Sequence, residues 1–190
     1  MVSDGRRWLL RALGGATLGL ALPGRAADGA AAPCTPLLDH ALRPLGGGEA
    51  KPLCETFSGR VLLIVNTASE CGFTGQLADL ERLHRRYAAR GLRVLGFPSD
   101  DFHQELEDEK EIAEFCLVNY GVSFPMFQKV AVSGADAHPL FRELAARTDG
   151  YPRWNFNKYL VDRSGRTLGR YDATEAPLGA TLVGDIEAAL

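Results

Sequence analysis

The sequence predicts an α/β fold in which helices flank a central mixed sheet. Residues 61–65 are apolar without a break and residues 92–97 are apolar but for Arg93, the pattern of buried strands. Between them Leu77, Leu80, Leu83 and Tyr87 recur at helical spacing. A second helical stretch follows, and then apolar runs return as a late pair. Strands and helices alternate first, and strands pair afterwards.

The elements follow in chain order. Residues 1–27 open with Arg6-Arg7-Trp8-Leu9-Leu10-Arg11, continue through a weakly apolar stretch and end in small residues around Gly24, Ala26 and Ala27. A charged start, a short apolar run and a small-residue exit are the pattern of an export signal. The apolar run falls short of the roughly 18 residues a membrane span needs, so no stable membrane insertion is expected. The arginine pair fits twin-arginine export, and an ordinary secretory signal is the alternative. Either route places the mature domain, residues 34–190, outside the cytoplasm, with the periplasm the expected compartment.

Residues 37–45 and 50–55 flank Gly46-Gly47-Gly48-Glu49 and read as an N-terminal β-hairpin. The run 61–65 is the first buried strand, and the helix after it stops at Gly91. Residues 92–97 form the second buried strand, closed by Pro98. A charged helix runs from Asp108 to about Asn119, with Ile112, Phe115 and Cys116 on its apolar side. Residues 124–133 and 154–162 read as strands, Ser164-Gly165 as a turn before a strand over 167–171, and a last helix starts near Leu178.

Composition narrows the function classes. The 190 residues are 46% apolar and 24% charged, the mix of one soluble globular domain. A net charge of −3 gives no broadly basic surface for nucleic acid. Four cysteines are too few for a disulfide scaffold, so each thiol is read on its own. His40, His84, His103 and His138 are scattered and no cysteines have zinc-like spacing, so neither a metal nor another cofactor is expected.

Cys71 is the informative residue. It lies between the first buried strand and the following helix, in Asn66-Thr67-Ala68-Ser69-Glu70-Cys71-Gly72-Phe73-Thr74. A sulfur there meets the positive end of the helix dipole and unpaired backbone N–H groups, which favour nucleophilic sulfur. A small buried cysteine is the bland alternative. Thr74 stands where a thiol–disulfide oxidoreductase has its second cysteine, so Cys71 is a solitary nucleophile.

The stretch 63–74 resembles the active-site signature of glutathione peroxidases in their cysteine form. Three further blocks are similar in order: Leu95-Gly96-Phe97-Pro98 with Phe102 and Gln104-Glu105; Phe115-Cys116, Tyr120-Gly121-Val122 and Phe124-Pro125-Met126-Phe127; and Trp154-Asn155-Phe156 with Leu160-Val161-Asp162. The resemblance implies a thioredoxin-like fold with an N-terminal β-hairpin and an extra helix. It implies Cys71 as the peroxidatic cysteine, with Trp154 and Asn155 as indole and amide donors beside it. It puts the family glutamine on Asp101, a departure, because an ionised aspartate accepts where an amide donates. Asp101 is left protonated, turned away or acting as a proton acceptor.

The resemblance also implies Cys116 as the resolving cysteine, reached by local unfolding of its helix. Before that resemblance, a buried helix cysteine is the simpler reading of Cys116. The short stretch from His138 to Trp154 implies a monomer reduced by a thioredoxin-like dithiol protein more than by glutathione. Cys34 and Cys54 are left either to pair or to remain free thiols. The expected function is a thiol peroxidase acting on hydrogen peroxide and organic or lipid hydroperoxides in the oxidative stress response. The alternative is a redox relay that passes a Cys71–Cys116 disulfide to a partner protein.

Overall fold

The two apolar runs form adjacent strands, one interior and one at the edge, of a four-stranded sheet in a computed structural model, which describes Met1 and residues 33–190. The export signal expected over 1–27 lies outside the described residues but for Met1. A two-residue pairing comes first, β1 (Ala41–Leu42) with β2 (Lys51–Pro52). Then follow α1 (Leu53–Phe57), β3 (Val61–Thr67), α2 (Gln76–Tyr87), β4 (Leu92–Pro98) and α3 (Glu109–Tyr120). The chain continues through α4 (Pro139–Ala146), β5 (Lys158–Val161), β6 (Thr167–Tyr171) and α5 (Ala180–Ala189).

The strand order is β4-β3-β5-β6, with β3 and β4 parallel and the other two pairings antiparallel. Side chains alternate along a strand, so β3 divides its residues between two cores. Val61, Leu63 and Val65 face α2, α3 and α5, in a cluster that includes Leu80, Ile112, Cys116 and Ile186. Leu62 and Ile64 face the other way, toward Leu37, Leu38, Phe57, Phe97 and the α4 residues Leu140 and Phe141. Truncating a residue such as Leu63, which is wholly buried, costs about 2–5 kcal/mol.

Three segments away from the site depart from the sequence expectation. The second arm of the hairpin is mostly α1, because Leu53 and Phe57, one helical turn apart, both turn inward. Residues 124–133 touch strand edges only at single bridges, Pro44 with Phe127 and Gly96 with Met126. Pro125 has no N–H to give a ladder there. The helix α4 was not expected: His138 Nδ1 accepts from the Leu140 N–H, Pro139 occupies the first turn, and Leu140, Phe141 and Leu144 fill the core.

Cys34 and Cys54 are joined in a disulfide with Cα atoms 5.2 Å apart. The bridge spans 20 positions of sequence and is worth about 3 kcal/mol in the chain-entropy account. It ties the segment carrying buried Leu37 and Leu38 to α1. At the opposite edge of interest, β3 and β4 end side by side, with Thr67 opposite Pro98. The loops that leave them lie at the carboxyl end of a parallel pair, where α/β sheets build their sites.

Candidate active site

The loop after β3 is held by its own side chains. The Cys71 N–H donates to Thr74 Oγ1 at 3.0 Å, and the Thr74 hydroxyl lies 2.7 Å from Cys71 O and 2.9 Å from Ala68 O. The Phe73 N–H donates to Cys71 Sγ at 3.4 Å. Helix α2 begins only at Gln76, so the backbone donor that reaches the sulfur is the loop's own. Cys71 is 8% exposed, covered yet at the surface of its core cluster.

A second loop is pinned to the end of β3. Asn66, wholly buried, donates from Nδ2 to Trp154 O at 3.1 Å and accepts the Asn157 N–H at 3.0 Å. Its backbone carbonyl accepts the Phe156 N–H at 2.7 Å. These bonds make residues 154–157 a loop where a strand was expected. Trp154 stays partly exposed, stacked at a tilt on Phe102 with ring centres 5.3 Å apart. It lines a cleft of about 310 Å³ together with Phe73 and Arg153. Asn155 is wholly buried beside it.

The third loop, after β4, supplies an amide that the sequence reading placed elsewhere. Asp101 turns away: its Oδ2 accepts from Val132 N, Ser133 N and Ser133 Oγ at 2.7–2.9 Å. Gln104 is the residue that reaches Asn155, accepting its Nδ2–H at 3.1 Å, while its backbone carbonyl accepts the Glu70 N–H at 2.9 Å. One amide pair thus links the Cys71 loop to the Trp154 loop. His103 and Phe156, the neighbours of the pair, have φ of 54° and 63°, left-handed conformations that ordinary residues seldom adopt. Asn155 Oδ1 is buried without a hydrogen-bond partner.

Cys116 lies on α3, 3% exposed, and burial pushes its thiol up to about 12, with the Glu105 carboxylate adding to the effect. It belongs to the same core cluster as Cys71, and both are free thiols. Among the described residues, no three His, Cys, Asp or Glu side chains gather as metal ligands. Of the residues read from sequence, the structure gathers Cys71, Trp154 and Asn155 at one strand end and keeps Cys116 behind them. Thr74, Asn66 and Gln104 were missed as site builders. Polar residues directly after a fully buried strand, as at Asn66, are the signal that points to them.

Comparison with known proteins agrees with this geometry. The glutathione peroxidase family model matches residues 41–145, a stretch that holds Cys71, Gln104 and Cys116. The glutathione peroxidase homolog BsaA of Bacillus subtilis is 50% identical over 129 residues, 65% of this chain and 81% of that protein. The hydroperoxy fatty acid reductase gpx1 of Synechocystis sp. is 48% identical over 132 residues, 64% and 78% of the two chains. Among solved structures, Trgpx in apo form has a TM-score of 0.64 at 30% identity, covering 82% of this chain and 96% of that one. A thioredoxin family thiol:disulfide interchange protein from Chlorobium tepidum, 17% identical, has a TM-score of 0.62 over 84% and 99% of the chains. The last likeness concerns the fold, which is thioredoxin-like. With a family model over more than half of the chain and a relative identical at half of 129 aligned residues across four-fifths of its length, the chain belongs to the glutathione peroxidase family.

Proposed function

We propose that the protein is an exported thiol peroxidase that reduces hydrogen peroxide and organic or lipid hydroperoxides. One observation carries the reading: a solitary thiol shares the end of β3 with the Gln104–Asn155 amide pair and the Trp154 indole. In the first step Cys71 sulfur attacks the terminal peroxide oxygen and the O–O bond breaks. Cys71 becomes a sulfenic acid, and its proton ends on the departing alcohol or water. The Trp154 N–H at the cleft is the donor available to the leaving oxygen, with the Asn155 amide, bonded to Gln104, buried beside it.

Cys116 then condenses with the sulfenic acid to a Cys71–Cys116 disulfide, releasing water. Because Cys116 is buried, α3 must open locally before the sulfurs meet. A thioredoxin-like dithiol protein closes the cycle in preference to glutathione, with the enzyme a monomer. The Phe73–Trp154 cleft supports an apolar hydroperoxide, the substrate class in the Synechocystis relative's name. The Cys34–Cys54 disulfide supports export, since such bonds persist outside the reducing cytoplasm.

Turnover tests the reading. With a recycling dithiol protein and excess hydroperoxide, consumption should continue past many equivalents. A single stoichiometric burst with cross-links to a partner protein would instead favour the relay.

A further inference from the structure

Two carboxylates are buried among the described residues, Glu81 and Glu105, and they are satisfied differently. Glu81 has Arg85 and Ser123 as partners. Glu105, 7% exposed, has no ion pair. Its Oε1 accepts from Ser69 N at 2.9 Å and Leu106 N at 3.0 Å, and its Oε2 is buried with no hydrogen-bond partner. Lys129, the nearest cation to influence it, gives its Nζ–H groups to the carbonyls of Leu106 and Glu107. A buried carboxylate oxygen left without a donor is costly, so its retention calls for a use.

Its place indicates one. Ser69, which holds Oε1, stands two residues before Cys71 in the same loop. Leu106, next in sequence, packs on the core cluster that contains both Cys71 and Cys116. The carboxylate is therefore tied to the Cys71 loop through Ser69, and it lies near enough to Cys116 to act on its thiol. None of its hydrogen bonds is to α3.

We propose that Glu105 is the general base of the resolving step, taking the proton of the Cys116 thiol and returning it to the hydroxide that leaves Cys71. The inference rests on the reading above that Cys116 resolves the sulfenic acid. The Cys116 S–H bond breaks with its proton going to Glu105 Oε2, and the sulfur attacks Cys71 Sγ. The new S–S bond forms as the Cys71 S–O bond breaks, and the leaving hydroxide takes the proton from Glu105 to become water. Cys116 is oxidised and the sulfenic sulfur reduced, so no further reactant is required. The need is chemical: even an ordinary thiol is mostly protonated at neutral pH, and until α3 opens burial holds the Cys116 thiol higher still, at about 12. Burial also raises the Glu105 carboxyl, against its two N–H donors and Lys129, which brings it closer in basicity to its task.

Glu105→Gln tests this in the full-length protein, because the amide oxygen can still accept from Ser69 and Leu106. After one equivalent of hydrogen peroxide, sulfenic acid formation should proceed at the wild-type rate. Disulfide formation, followed by tryptophan fluorescence and quenched peptide mapping, should slow at least about tenfold at pH 7. The deficit should shrink as pH rises and hydroxide takes the proton instead. In the wild type, the disulfide-forming rate should fall as pH drops through one ionisation above the ordinary carboxyl range. A Glu105→Gln disulfide rate equal to wild type from pH 5 to 8 would overturn the proposal, as would equal slowing of both steps. If the variant does not fold, a flat wild-type profile for the resolving step would overturn it alone. Cys116→Ser separates the two levels: failure of that variant to stall as a sulfenic acid sinks the assignment of Cys116, whereas a stall alongside a normal Glu105→Gln disulfide rate sinks only the base.

Discussion

The Cys71 loop and helix α3 each carry one free thiol, and they are built in opposite ways. The loop is cross-tied: Thr74, Glu105, Asn66 and Gln104 all bond to its backbone or to the segments around it. Helix α3 buries only Ile112 and Cys116 and leaves Leu117 and Val118 largely exposed, whereas α2 buries five residues. Its ends are well formed, with Asp108 accepting from Lys110 and Glu111 and Gly121 closing in the left-handed conformation at φ 62°. It is thus a properly capped helix with a thin core contact. A nucleophile that must meet small peroxides gains from fixed geometry, while a resolver that must travel gains from a helix that opens at low cost.

Substitutions can break or sharpen this contrast. The largest effect is expected from Cys71→Ser, which should abolish peroxide consumption and leave the fold intact, as read by turnover and circular dichroism. Cys116→Ser should consume one equivalent near the wild-type rate, then stall and over-oxidise with excess peroxide, as read by mass spectrometry. Thr74→Val keeps the shape but strands the Cys71 N–H and nearby carbonyls, at a cost of about 1–3 kcal/mol. Chemical denaturation and the rate of sulfenic acid formation should both register it.

A smaller effect is expected from alkali. The folded Cys116 thiol titrates near 12, above its ordinary value of 9.0, so the folded state holds this proton more tightly than the unfolded state. The associated stability is complete below about pH 9 and drains away as pH rises toward 12, by at most about 1.4 kcal/mol per pH unit. Denaturation midpoints at pH 8 and 10.5 should show the loss, and Cys116→Ser should remove this component of it. The smallest effect belongs to Arg43→Ala. Arg43 grips Glu109 in the first turn of α3 at 2.7 and 3.1 Å. Its loss should speed hydrogen exchange across α3 about two- to fivefold, with the Cys71 loop unchanged.

Much of this architecture was legible before any coordinates. β3, α2 and β4 were plain, because a buried strand leaves an apolar run, unbroken in β3 and interrupted only by Arg93 in β4, and a helix leaves a period. The amphipathic pattern of α4 was also present in Leu140, Phe141 and Leu144, after the capping pair His138-Pro139, but its shortness made it read as a connector. Residues 124–133 carry strand-like side chains and yet pair only at points, since pairing depends on which edge is free and on Pro125. At the site, Cys71 stood out from its place between strand and helix, whereas Trp154 and Asn155 were singled out only by the family resemblance. Gln104 was not chosen over Asp101, because the choice turns on backbone direction. The left-handed turn at His103 brings the later residue to Asn155, and no composition or spacing reveals such a turn.

The four-stranded sheet also acts as a partition between two kinds of sulfur. Cys54, in the bridge to Cys34, packs on the α4 face, while Cys71 and Cys116 belong to the α2 and α3 face. Direct thiol–disulfide exchange needs the sulfurs in contact, and the sheet stands between these two faces. In the proposed cycle the reduced Cys71 sulfur returns at every turnover, a nucleophile that would attack an adjacent disulfide and scramble it. With the sheet as insulation, one pair of cysteines can cycle while the other stays closed.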